Sequence, residues 1–229
     1  MKFQASIATV IITTATLLTL SWFVVLKGQR SEVDQAANAS PFHFTFFRQP
    51  SITETILKTK NCVGCDLSGI DLSGLDLSRV DLRNANLSHA NLTRTKLINA
   101  ILAGAQLTHA NLSKTNLQGA NLQQANLSHA DLSDAQMLNA SFNQATMQQT
   151  TFDRAELRDA DLNSAAVEGG SFKATSLYGA TLRSAKLSNA NFTSADLRYA
   201  DLSNATLKGT NFAQAQLDRA IFSQQKPLP

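Results

Sequence analysis

Three of the four histidines, His89, His109 and His129, follow one another at intervals of twenty residues. Imidazoles repeated in register suit Zn²⁺ or Cu²⁺, so this column is the candidate metal site. Its surroundings argue the other way. Gly69 and Gln149 continue the column, no carboxylate stands in line, and the units NLSHA, QLTHA and NLSHA read as simple duplication. Cys62 and Cys65 form a C-x-x-C and are the only cysteines. A thioredoxin-type redox pair needs a βαβ context, and a zinc site needs two further ligands nearby. A disulfide is the third reading, and an exported domain favours it. Hydroxyls recur at Ser73, Thr93, Ser113 and Ser133, with no oriented His and acid beside them to activate a nucleophile. No glycine-rich phosphate loop or cofactor fingerprint occurs, so the expectation is a non-enzymatic chain without a cofactor.

The elements that position these residues follow from a five-residue period. From Leu67 to Phe222 every fifth residue is apolar, over 32 consecutive positions that are mostly Leu with six Phe. The residue two before each, from Cys65 to Ala220, is Ala in 22 cases and Thr in five. The residue between is Asp or Asn in 16 of 32. An α-helix would smear this spacing round all its faces, since five residues advance about 140° net. A flat strand has period two, so an odd repeat would flip alternate units. Each unit therefore needs a turn. The small residue and the Leu point to one side, the Asp or Asn points out, and the Ser/Gly/Asn-rich pair turns the corner. Four corners close a square coil of about twenty residues. Eight coils stacked about 4.8 Å apart make an all-β solenoid roughly 35–40 Å long.

The runs Ala-Asn-Leu-Ser-His (85–89), Ala-Asn-Leu-Gln-Gln (120–124) and Ala-Asp-Leu-Arg-Tyr (195–199) resemble the A(D/N)LXX units of the pentapeptide-repeat proteins. The resemblance covers residues 65–224 and implies a right-handed quadrilateral β-helix with the Leu or Phe and the small residue inside. The segment Thr59–Ser68 also resembles the entry segment common in cyanobacterial members, and the chain as a whole resembles membrane-anchored or exported ones among them. A coil of twenty makes Phe152, Phe172, Phe192 and Phe212 one column, and puts Phe142 and Phe222 on another. An internal ring ladder is expected there rather than an aromatic ligand groove. On the outside, Leu138, Arg158, Tyr178 and Arg198 share a column. Aromatic and Arg side chains are enriched at interaction hot spots, which makes this column the candidate interaction patch.

Before the repeat the chain changes character. Phe3–Leu26 is free of charge and bracketed by Lys2 and Lys27. Its twenty-four residues would span about 36 Å as a helix, enough for a hydrocarbon core of about 30 Å. Residues 1–28 read as a transmembrane anchor, with a cleaved signal or a buried soluble helix as alternatives. A short charged head before a long apolar run places the repeat on the periplasmic or lumenal side; cleavage would make it secreted. Residues 29–50 form a linker in which Phe42, Phe44 and Phe46 alternate as in a short extended piece. Residues 51–61 follow as a capping helix. Ser51-Ile-Thr-Glu54 opens it as a capping box, with Ile52, Ile56 and Leu57 on one face. The β-helix is expected over 62–224, with Cys65 in the small inward column and Cys62 in the cap, so that a disulfide would pin cap to coil. Residues 225–229 are a tail. Its prolines Pro227 and Pro229 would blunt an open last coil that otherwise invites a homodimer.

Charge narrows the function. The net charge is +3 and charged residues make up 16%, against about 25% in typical domains. Residues 1–60 hold six Lys/Arg and three Asp/Glu, whereas 61–229 hold fourteen of each. The repeat therefore has no basic excess for nucleic acid and no acidic excess for DNA mimicry, the activity by which some pentapeptide-repeat proteins protect topoisomerases. The expectation is a membrane-tethered scaffold for an unidentified protein partner, including the accessory subunit of a membrane complex.

Overall fold

The computed structural model describes residues 51–223. Backbone bridges join residues twenty apart, in parallel, from Asn61↔Asp81 through to Asp196↔Gln216. That spacing is the coil. Each side of the square contributes one bridging residue, because about three residues are all that fit between corners. Only the last pair lengthens into two-residue strands, β1 (Asp201–Leu202) and β2 (Ile221–Phe222). The ladder is continuous in both directions. The Leu87 N–H donates to the Gln106 carbonyl at 2.7 Å, and the Gln106 N–H donates back to Ala85 at 2.9 Å.

Every corner is a four-residue turn closed on itself. The Ala90 N–H donates to the Leu87 carbonyl at 3.0 Å, and its counterparts repeat along the rod. The third residue of each turn, from Gly64 to Arg219, has φ between 53° and 71°, the mark of a type II turn. Most corners do without glycine, and Asn, Asp, Ser, Gln, His, Lys and Arg take the left-handed conformation instead. The Asp/Asn preference of the outward position has a local cause. Its Oδ1 accepts the N–H of the second residue of the turn, two places on, as Asn86 does for Ser88 at 3.2 Å and Asp131 for Ser133 at 2.9 Å. Where the unit has another residue there, the coil before can supply the acceptor: Asp153 Oδ1 takes the Lys173 N–H at 3.1 Å.

The inside is a single apolar column of Leu, Phe and Ala with almost no solvent exposure. Phe152, Phe172 and Phe192 stack at 4.7 and 4.6 Å with rings within 4° of parallel, and Phe212 continues the stack at 5.3 Å. Phe142 and Phe222 close the ladder from the opposite wall, edge-on at 6.4 and 6.3 Å. The aromatic column is thus core and not a groove. Val167 is matched by Gly170, where a Cβ would sit 2.9 Å from Val167 Cγ1. The four buried threonines of the small column, Thr95, Thr115, Thr150 and Thr175, donate their hydroxyls to carbonyls one coil back at 2.6–2.8 Å.

Helix α1 (Ile52–Thr59) precedes the coils, with the Ser51–Glu54 capping box formed and Lys60 as a left-handed C-cap. Only Ile56 of the expected apolar face is buried; Ile52 and Leu57 are exposed at 45% and 37%. One inward side chain per helix suffices because the end of a square coil offers a small apolar opening. Cys62 is not part of the cap. It fills the leucine position of the first corner, 3% exposed, and Asn61 already pairs with Asp81. The anchor expected at 3–26, the linker with Phe42, Phe44 and Phe46, and the 225–229 tail lie outside the described residues. Among the described residues no helix is long and apolar enough to cross a membrane.

Candidate functional site

The αL corners place His89, His109 and His129 in one exposed column. Their rings stack at 5.0 and 4.8 Å, within 4° of parallel. Parallel stacked imidazoles point their nitrogen lone pairs alongside one another, whereas a chelate needs them to converge on one point. Among the described residues no group of three His, Cys, Asp or Glu is arranged to hold a metal. Beside the imidazoles runs a hydroxyl column, with Thr108 donating to Ser88 at 3.0 Å. The hydroxyls of Thr93, Ser113 and Ser133 are engaged too, donating to the Asn or Asp two residues back at 2.6–2.7 Å.

Cys62 and Cys65 are joined by a disulfide. The bond spans the first and last residues of the first corner, alongside the Cys65 N–H to Cys62 carbonyl contact at 3.3 Å. It therefore staples a turn within the first coil and does not tie the helix to it. Nearby, Lys60, Asp76, Ser78, Arg79, Ile98 and Asn99 line an open depression of about 670 Å³. Lys60 Nζ crosses its edge to the Asp76 carbonyl at 2.8 Å.

The outer column Leu138–Arg158–Tyr178–Arg198 is one half of a denser cluster. The adjoining corner column carries Tyr199 and Arg219, and the rings of Tyr178 and Tyr199 meet diagonally at 5.1 Å with a 49° tilt. Gly179 sits between them in the corner column, leaving no side chain in that place. Arg198 lies over Tyr178 at 5.6 Å, and Arg219 over Tyr199 at 5.2 Å. Arg219 Nη1 also donates to the Tyr199 hydroxyl at 2.7 Å. Both rings remain exposed, at 37% and 42%. Leu138 is half-buried and contributes little surface. Tyr199 and Arg219 are invisible to a search at a spacing of twenty, because Tyr199 is twenty-one residues after Tyr178. The signal that joins them is the adjacency of two corner columns one residue apart in the repeat.

Carboxylates hold the arginines in place. Asp196 takes Arg198 through two bonds at 2.9 and 2.8 Å, and Glu156 takes Arg158 at 2.8 Å. The Arg198 hydrogen bond, helped by the Arg198 backbone N–H and the guanidinium charge, holds the Asp196 carboxyl below its ordinary pKa. Elsewhere Arg83 lowers Asp81 in the same way, and Arg154, one coil on, lowers Asp134 through its side-chain hydrogen bond and its charge. In the first coil Asp66 and Asp76 are lowered chiefly by the Ser68 and Ser78 hydroxyls, and Asp71 by the Ser73 N–H.

A four-cornered solenoid with an Ala-Asp/Asn-Leu period defines a class of protein, and the sequence comparison agrees. The chain matches the family of pentapeptide repeats (8 copies) over residues 61–97, 90–128, 100–137, 120–159, 135–173, 155–193 and 185–224. It belongs to the pentapeptide-repeat family, whose fold is the right-handed quadrilateral β-helix. No curated protein sequence matches it. Among solved structures it is similar to HetL, a pentapeptide repeat protein involved in heterocyst differentiation regulation from the cyanobacterium Nostoc sp. strain PCC 7120. The identity is 29%, over 71% of this chain and 87% of that one, with a TM-score of 0.40. A pentapeptide repeat protein from the Arabidopsis thaliana thylakoid lumen is 36% identical over 45% of this chain and 68% of that one, TM-score 0.27. A trypsin-treated form of QnrB1, a plasmid-mediated fluoroquinolone resistance protein, is 23% identical over 66% and 79%, TM-score 0.44.

Proposed function

We propose that the chain is a non-enzymatic scaffold that binds a protein partner while tethered to a membrane by residues 3–26. The observation that carries the binding reading is the Tyr178–Tyr199–Arg198–Arg219 cluster, two exposed aromatic rings and two guanidiniums on a largely polar rod. Such clusters are what binding hot spots are made of. Repeat solenoids commonly act this way, since stacked coils offer long regular surfaces and no cleft is needed. The tether is supported by the length and uncharged composition of Phe3–Leu26, and an export-like head sets the rod on the periplasmic or lumenal side. Retention on the membrane would make it an accessory subunit there; cleavage would release it as a secreted rod. A homodimer through the last coil is compatible with either. DNA mimicry is disfavoured by the balance of fourteen acids and fourteen bases in residues 61–229.

Crosslinking in the native membrane followed by mass spectrometry tests the proposal. Crosslinks from the rod to one recurrent protein are expected, and replacing Tyr178 and Arg198 by Ala should reduce recovery of that protein. Recovery that stays unchanged removes this cluster as the binding surface. Inhibition of gyrase supercoiling by the soluble rod would revive the DNA-mimic alternative.

A further inference from the structure

We propose that the edge bearing Tyr178 and Tyr199 docks a cationic protein segment, one that presents Lys or Arg side chains. The proposal rests on the scaffold reading above and names the chemistry of its partner. Exposed apolar and aromatic side chains are not scattered over the rod. Ile101, Tyr178, Tyr199 and Ile221 all lie on this corner or on the side it leads into, and the remaining ones, Ile52, Leu57 and Val63, belong to the cap and the first corner. One edge is therefore distinct from the other three.

The charge on that edge selects the occupant. The repeat is neutral as a whole, yet along the last four coils Glu156, Asp159, Asp161, Asp196, Asp201 and Asp218 surround Arg158, Arg198 and Arg219. Arg183 reaches in from the far corner to Asp201 at 3.8 Å, and the excess stays negative. The neighbouring corner has the opposite sign, with Arg94, Lys114, Arg154 and Lys173 against Asp134 and Asp153. An acidic, aromatic edge repels nucleic acid and anionic lipid and attracts a cation. The rings already show the contact. Arg198 and Arg219 lie over the tyrosine ring centroids at 5.6 and 5.2 Å, within the range of cation–π attraction. A partner's Lys or Arg would repeat this on the rings' open surface and pair with Asp161 or Asp218, which make no ion pair among the described residues. The competing occupant is a second copy presenting its own Arg94–Lys173 corner.

Fluorescence anisotropy on the full chain in detergent tests this, with a labelled peptide of alternating Lys and Ser as probe and the Glu–Ser peptide as its counterpart. The Lys peptide should bind and the Glu peptide should not. Tyr178→Leu with Tyr199→Leu should weaken binding about tenfold. Asp161→Asn with Asp218→Asn, which leaves the core untouched, should weaken it comparably, and Lys114→Ala on the neighbouring corner should change nothing. Equal binding of the two peptides, or full binding by both double variants, overturns the proposal. Concentration-dependent self-association abolished by Lys114→Ala assigns the edge to a second copy and overturns it too. If the Lys peptide fails to bind while crosslinking finds a partner on another side, the proposal falls and the scaffold reading stands.

Discussion

Threonine replaces alanine five times in the small inward column, although burying a hydroxyl without a partner costs about 1–3 kcal/mol. The cost is met one coil back. Thr175 Oγ1 donates to the Phe152 carbonyl at 2.6 Å, and that oxygen also accepts the Ala155 N–H at 3.0 Å. Thr175→Val keeps the shape and removes the donor while leaving the carbonyl bonded. It should destabilise by about 1 kcal/mol in chemical denaturation, and no loss would mean that the hydroxyl is neutral. The outward carboxylates set the acid limb. Asp81 and Asp196 have folded pKa values held below the unfolded value of about 3.9. The stability they contribute is fully present above that value and is lost as pH falls through the lowered folded ones. Asp81→Asn with Asp196→Asn keeps an acceptor for each corner N–H and removes the titration. Its unfolding midpoint should fall less steeply than the parent's below about pH 4.

At the scale of elements, each unit is too short to be a strand that stands alone, so corners and ladders stabilise one another. Helix α1 is the one element with its own local logic: Ser51 Oγ accepts the Glu54 N–H at 3.1 Å, and Glu54 Oε2 accepts the Ser51 N–H at 3.0 Å. Ser51→Ala should cost about 1 kcal/mol. In a solenoid each coil touches only its neighbours, so the effect should stay near the cap. Amide hydrogen exchange should rise over residues 52–59 and remain unchanged beyond the second coil. Faster exchange along the whole rod would show coupling that the nearest-neighbour picture does not contain. The Cys62–Cys65 bond belongs to the same end and braces a single turn.

For the whole molecule the question is how a rod with a balanced surface finds its place. The N-terminal segment carries the net charge and the uncharged run, and on the proposed reading it places the protein while the rod recognises the partner. Removing residues 1–28 should move the protein from the carbonate-resistant membrane fraction to the soluble one, with its β-rich circular dichroism retained. A mature protein that already lacks those residues, as read by N-terminal sequencing, would instead establish a cleaved signal. Light scattering at high concentration addresses the last coil: a monomeric mass discards the dimer.

Much of this molecule is legible one residue at a time. A period of five with no slip from Leu67 to Phe222 requires a turn in every unit, and Phe columns at twenty require four turns per coil. The capping box was readable because its two bonds are local. What lay beyond the sequence depends on which columns become neighbours. Cys62 reads as cap until Asn61 is seen to pair with Asp81, which makes Cys62 the first core residue. The histidines read as a duplicated column that metal binding suits poorly, and the parallel stacking of their rings is visible only in three dimensions. Tyr199 and Arg219 join Tyr178 and Arg198 only because a corner sets two columns side by side. Periodicity determines the coil, since every unit must bury the same two positions. Closure of the square decides the surface, because it brings together residues that share no spacing in the chain.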